Sequence, residues 1–153
     1  MKTLESSYIT NEIINPEEAL KKIQKTSSGA LVVFMGLVRD HIPIRENSIK
    51  EVKKLEYSAF EPLANHIIQK IIEEGIQKFK LKDAYVRHRI GILNLEEIAV
   101  IVVTSSAHRK ECYLGNQYII DRIKYEAPIW KKEYFADGTT EWSKGYIPTP
   151  NES

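Results

Sequence analysis

Apolar residues recur along this chain with two spacings, and the switches between them mark its elements. Phe60, Leu63, Ala64, Ile67, Ile68, Ile71, Ile72, Ile76 and Phe79 fall at steps of three and four, with charged residues between them. That spacing predicts a long amphipathic helix. A shorter helix is predicted over NPEEALKKIQ, residues 15–24, with Asn15 as N-cap and Pro16 at the first helical position. A third runs from His108 to about Tyr125 and stops before Pro128, because a proline disfavours helix at the residue preceding it. Between the helices lie strand patterns. GALVVFMGLVR (29–39) is apolar and β-branched at successive positions, which predicts a central strand buried on both faces. EIAVIVVTSSA (97–107) predicts a second buried strand, and AYVRHRIGIL (84–93) and EVKKLEYSAF (51–60) predict two more. Polar residues 40–50, DHIPIRENSIK, read as a mobile loop, Asp137-Gly138 as a turn, and about 146–153 as a loose tail. Strands and helices mix without a βαβ rhythm, so the expected class is α+β with a mixed, mostly antiparallel sheet.

Length and charge narrow this picture. The 153 residues suit one domain spanning 1–153. Lysine and arginine total 22 against 21 acidic residues, a net charge of +1, so nothing in the global charge draws the chain to nucleic acid or an anionic membrane. The single cysteine, Cys112, excludes an internal disulfide and fits a reducing compartment. The N-terminal stretch lacks the apolar run of a signal peptide, and no segment approaches the ~20 apolar residues of a membrane span. A cytoplasmic protein is expected. Four histidines without a paired spacing and one cysteine give no metal site. No P-loop, GxGxxG or GxSxG is present, which argues against nucleotide hydrolysis, Rossmann dinucleotide binding and an α/β-hydrolase triad.

Candidate chemistry concentrates where apolar elements end in charge. Arg39 follows Leu31, Val33, Met35 and Leu37 on one strand face and emerges where that face ends; it reaches either solvent or a ligand. TSSAHRKE (104–111) runs from a buried strand into a helix start. Backbone N–H groups there are unpaired and attract anions. His108 and Arg109 in that first turn oppose the helix dipole, which suggests a use such as phosphate binding, with solvated side chains as the plain alternative. KYEAPIWKKEYF (124–135) gathers Lys124, Lys131 and Lys132 around a Pro-Ile-Trp corner. Lys124 suits a helix C-terminus. A lysine packed on such a corner loses hydration and lowers its pKa toward a general base or nucleophile, but solvated lysines are the commoner case. Cys112 lies four residues after His108, compatible with a Cys–His pair or a core cysteine. His88 and Arg89 add to a basic site or sit at the surface, and His66 and His41 are expected in solvent.

The ordered set FMGLVR (34–39), LEY (55–57), HRIG (88–91), SSAHR (105–109), KxxxPIWKKE (124–133) and DGxxxW (137–142) resembles the large, catalytic subunit of molybdopterin synthase from about Gly29 to Trp142. The resemblance implies an α/β hammerhead fold. It implies a sulfurtransferase that takes sulfur from the Gly-Gly thiocarboxylate of a small ubiquitin-like partner. The acceptor is cyclic pyranopterin monophosphate, and the product is the molybdopterin dithiolene. It implies Lys124 and Lys131 as catalytic lysines. Arg39, His108 and Arg109 are implied as binders of the anionic pterin, with Phe34, Leu37, Val38, Lys132 and Glu133 beside the substrate. It implies no cofactor or metal, and a dimer of large subunits with a small subunit at each end, whose pockets draw on both large subunits. A non-catalytic module of the same fold, binding a phosphorylated ligand or an acidic tail, is the alternative. The chain departs from the family pattern at Glu96, where a turn glycine is common, and in lacking a glycine often found before LEY.

Overall fold

The computed structural model describes residues 7–45 and 48–143; the tail expected over 146–153 lies outside them. The order is β1 (Ile9–Thr10), α1 (Pro16–Lys22), β2 (Ala30–Leu37), β3 (His41–Arg45), β4 (Ser48–Ala59), α2 (Glu61–Phe79), β5 (Leu81–Arg89), β6 (Gly91–Asn94), β7 (Ile98–Ser106), α3 (Arg109–Glu126), β8 (Ile129–Phe135) and β9 (Thr140–Ser143). The three expected helices are present. Asn15 caps α1 by accepting from the Glu17 N–H, with Pro16 at the first turn.

The strands form two sheets. One has the order β1-β5-β7-β2, antiparallel except for the β1–β5 pair. The other has the order β3-β4-β8-β9, with β6 also pairing β4. The class is therefore α+β with mostly antiparallel pairing. Helices α2 and α3 pack against one face of the first sheet. Ile68, Ile71, Ile119 and Ile123 meet Val86, Val100 and Val102 there, and all seven are essentially inaccessible. Ala19 and Ile23 of the α1 segment cover Tyr85, Ile101 and Val103 on the other face. A separate cluster of Val38, Val52, Leu55, Tyr57, Leu93 and Phe135 fills the second sheet.

Three expectations are corrected. The apolar segment 29–39 is not a central strand: among the described residues β2 is the edge of its sheet, paired with β7 alone. Leu31, Val33, Phe34, Met35 and Leu37 are all exposed, Leu37 to 58%. Continuous apolar composition marks a strand that is covered on both faces, and within one chain β2 lacks that cover. Residues 40–50 are not a loop, because His41–Arg45 and Ser48 onward pair as the arms of a β-hairpin. The strand expected over 84–93 is two strands that belong to different sheets. The break falls at Ile90, and Gly91 takes φ +91, a left-handed conformation open to glycine at little cost.

Gly36 marks both a bulge and a close approach. The register shifts between Gly36 and Leu37, and a Cβ at Gly36 would lie 2.8 Å from Val100 Cγ1. Buried Asn116 ties α3 across the sheet by donating to the carbonyls of Val32 (3.2 Å) and Val102 (3.0 Å). With β7 and β2 antiparallel, α3 runs back along them. Its Lys124 end lies at the Leu37 end of β2, and its Arg109 end lies at the Ala30 end.

Candidate active site

The two sheets meet where α3 ends and β8 begins. Ala127 and Pro128 are buried at this turn, the Phe60 N–H donates to the Pro128 carbonyl, and β8 then pairs along β4. The bend sets Lys124, in the last helical turn, against Lys131, the third residue of β8. Both line one narrow cavity of about 20 Å³, together with Tyr57, His88 and an apolar wall of Ile123, Ala127 and Ile129. Lys131 and Tyr57 are cross-strand partners, so the β4–β8 register fixes their juxtaposition.

Strand alternation sorts the lysines of β8. Lys131 and Glu133 share the inner face, and the Lys131 Nζ pairs with the buried Glu133 carboxylate at 3.3 Å. Lys132 points to the other face, over the rings of Tyr134 (5.0 Å) and Trp142 (5.6 Å). It is not part of the lysine cavity.

The electrostatics of the cavity are unusual. Burial pushes the Lys124 amine down to about 8, and the neighbouring Lys131 ammonium adds to the effect. An ammonium loses hydration there and meets a like charge, so the neutral amine is accessible near physiological pH. Burial, reinforced by the Lys124 charge, lowers His88 to about 3 and keeps its imidazole neutral. Burial, reinforced by the Glu133 carboxylate, raises the Tyr57 phenol to about 12. One site thus holds two amines, a carboxylate, a protonated phenol and a neutral imidazole, a set able to accept an anionic tail and to move protons beside it.

The remaining residues singled out from sequence are spread out. Arg39 is exposed just beyond β2, at the Lys124 end of the sheet. Val38 is buried beneath it with Tyr57. Phe34 lines a shallow groove between β2 and α3 with Tyr113, Gln117 and Ile120, and Leu37 is exposed on the edge. His108 and Arg109 are exposed at the start of α3, where the His108 side chain makes no capping bond. At ~1.5 Å rise per residue, Arg109 stands about 22 Å along the helix from Lys124. The expected rim of Arg39 with His108 and Arg109 is therefore not assembled within one chain.

Cys112 is a core residue, fully buried and donating to the Thr104 carbonyl at 3.2 Å. Arg89 is buried in an ion pair with Glu97 at 2.7 Å. His88 and Arg89 are thus not surface residues. Sequence reasoning missed Tyr57 as a member of the site and left His88 open between a basic site and the surface. A signal for His88 was present, since it continues the period-two register of Ala84 and Val86, both in the core.

Comparison with known proteins gives the family and the fold. The family described as MoaE protein matches residues 9–126. A molybdopterin synthase catalytic subunit of Bacillus subtilis is 41% identical over 146 residues, covering 95% of this chain and 89% of that protein. One from Thermoplasma volcanium is 36% identical over 134 residues, covering 88% of this chain and 94% of that one. The crystal structure of molybdopterin synthase from Staphylococcus aureus superposes with a TM-score of 0.82 at 35% identity, over 92% of this chain and 98% of that one. It bears out the fold class expected from the sequence. The chain belongs to the MoaE protein family.

Proposed function

We propose that this chain is the catalytic subunit of a molybdopterin synthase. It moves sulfur from the C-terminal thiocarboxylate of a small ubiquitin-like partner onto cyclic pyranopterin monophosphate and so builds the dithiolene. The observation that carries the reading is the convergence of Lys124 and Lys131, from a helix end and a following strand, on one cavity. Family membership supplies the reaction.

The roles follow from the chemistry available. The thiocarboxylate tail is anionic and enters beside two amines. Its sulfur attacks an electrophilic carbon of the pterin and displaces an oxygen from it. Water then cleaves the acyl–sulfur bond, releasing the partner's tail as a carboxylate and leaving the sulfur on the pterin. Lys131, aligned by Glu133, stabilises the oxyanion that develops on the acyl carbon. Lys124, whose neutral form is accessible, takes the proton from the water that cleaves the acyl–sulfur bond. The pterin phosphate calls for fixed cations, and arginine meets it with two parallel hydrogen bonds. Arg39 supplies one from the same chain. His108 and Arg109 act on the pocket of a second copy, since they stand far from their own lysines. The exposed apolar edge of β2 supports that homodimer: an unpaired apolar edge strand invites another chain. Phe34, Leu37 and Val38 shape the ground between the lysines and the edge, and Glu133 contributes through Lys131.

The chain works as one domain. It fits a reducing cytoplasm, with its single cysteine buried and reduced, and no described helix is long and apolar enough to cross a membrane. The test is to mix the folded protein with thiocarboxylated small subunit and cyclic precursor and look for the dithiolene by mass spectrometry. The account predicts product. Tight binding of the small subunit without product would instead mark a non-catalytic binding module.

A further inference from the structure

Among the groups of the lysine cavity, His88 has no part in the chemistry so far. It lies on β5 in register with Ala84 and Val86 and is 1% exposed. A position of this kind ordinarily takes an aliphatic side chain, and a buried polar ring is costly unless its nitrogens find partners. Nδ1 lies 2.8 Å from the Arg89 carbonyl oxygen. A carbonyl only accepts, so Nδ1 carries the proton. In the neutral ring Nε2 is then an acceptor. Tyr57 covers the ring edge-on, with centroids 5.0 Å apart at 76°. The cavity is shared with Lys124 and Lys131 and, at about 20 Å³, has room for one water.

The Lys124 amine needs an acceptor to fix its direction, and the groups around it can be compared. On β8, Glu133 is engaged by Lys131, which is itself a donor. On α3, Glu126 is engaged by Arg122. On β4, Tyr57 keeps its proton and acts as a donor. On β5, His88 offers a lone pair.

We propose that His88 is a positioning residue for the lysine chemistry: its Nε2 accepts a hydrogen bond from the Lys124 amine, directly or through one water, and sets where that nitrogen points. The inference deepens the proposed function and rests on it for its purpose. The hydrogen bond itself concerns this chain alone.

The test compares full-length His88→Phe, which keeps a flat ring beside Tyr57, with His88→Gln, which keeps an acceptor. The reading is the pH midpoint at which Lys124 reacts with an amine-directed acylating reagent, followed by peptide mass spectrometry, with thermal unfolding measured alongside. Losing the acceptor disfavours the ammonium, so the midpoint in His88→Phe should fall by about one unit and return in His88→Gln. Turnover should fall roughly tenfold in His88→Phe and recover in part in His88→Gln. An unchanged midpoint in folded His88→Phe overturns the proposal. A second reading holds even if that variant does not fold: the nitrogen-15 shift of His88 Nε2 in the otherwise native chain should move on Lys124→Met, and a silent Nε2 overturns the proposal. Absence of product from the native protein would count against the proposed function and leave both His88 readings standing.

Discussion

At the C-terminal end of α3, Lys124 is enclosed by side chains from β4, β5 and β8. At the N-terminal end, His108 and Arg109 stand in solvent beside an apolar strand edge that has no neighbour among the described residues. The first end is preorganised by local connections: a buried Ala-Pro turn, a cross-strand register and an ion pair. The second is exposed, as a surface that acts on another molecule must be. Burial shifts the amine at the first end, while the second relies on fixed charge. The contrast is what the proposed function requires: lysine chemistry built into one copy of the chain, and anion binding shared between two.

The largest expected effect comes from breaking the enclosed end. Lys124→Ala should cut turnover by ~10²–10⁴-fold, read by single-turnover mass spectrometry. Its stability signature has a definite sign. The folded pKa, about 8, lies below the ordinary 10.5, so the unfolded chain holds the proton more tightly. Stability should rise with pH between those two values. Below about pH 8 the buried ammonium costs on the order of 3 kcal/mol. Lys124→Met should therefore raise the urea midpoint at pH 7 and abolish the rise at alkaline pH. A lower midpoint at pH 7 would refute the buried-ammonium account.

Breaking the exposed end should act through binding. Arg109→Ala, with an unchanged unfolding temperature, should raise the KM for the pterin roughly 10- to 100-fold, because a charge-assisted pair to phosphate is worth about 1.5–3 kcal/mol. The apolar edge sharpens the comparison further. Met35→Lys should weaken self-association at least ~10-fold by sedimentation, since it puts a charge on an apolar edge. Activity should fall with the dimer, while Lys124 keeps its pH midpoint. The smallest effect falls outside both regions. Glu96 holds φ +72, a left-handed conformation that is costly for a residue with a Cβ. Glu96→Gly should stabilise the fold by about 1 kcal/mol in denaturant unfolding and leave turnover unchanged.

Much of this was legible in the sequence because it is local. The repeat from Phe60 to Phe79 encoded α2, Asn15-Pro16 encoded the start of α1, and Pro128 encoded the end of α3. The lysine bend was legible through its ordered motif. What local pattern could not carry was the partner of each surface. Apolar β2 read as central because composition reports that a face will be covered, not by which chain. The strand 84–93 read as one because a single glycine, Gly91, redirects it between sheets. The separation of Lys132 from Lys131 needed only period-two alternation, but that alternation becomes informative once Lys131 is known to lie in a strand. His88 stayed open between a site and the surface because a histidine inside an apolar register looks the same whether it fills space or faces a site.

The shared pocket is tested most directly by mixing two impaired variants at a pterin concentration well below the raised KM of Arg109→Ala, where neither variant alone turns over appreciably. Lys124→Ala lacks the enclosed half, and Arg109→Ala lacks the exposed half. After subunit exchange, a mixed dimer has one pocket missing both groups and one pocket intact. Half of the dimers are mixed at equal stoichiometry, so about a quarter of native activity should return. A mixture as inactive as its two components would contradict a site built from two copies of the chain.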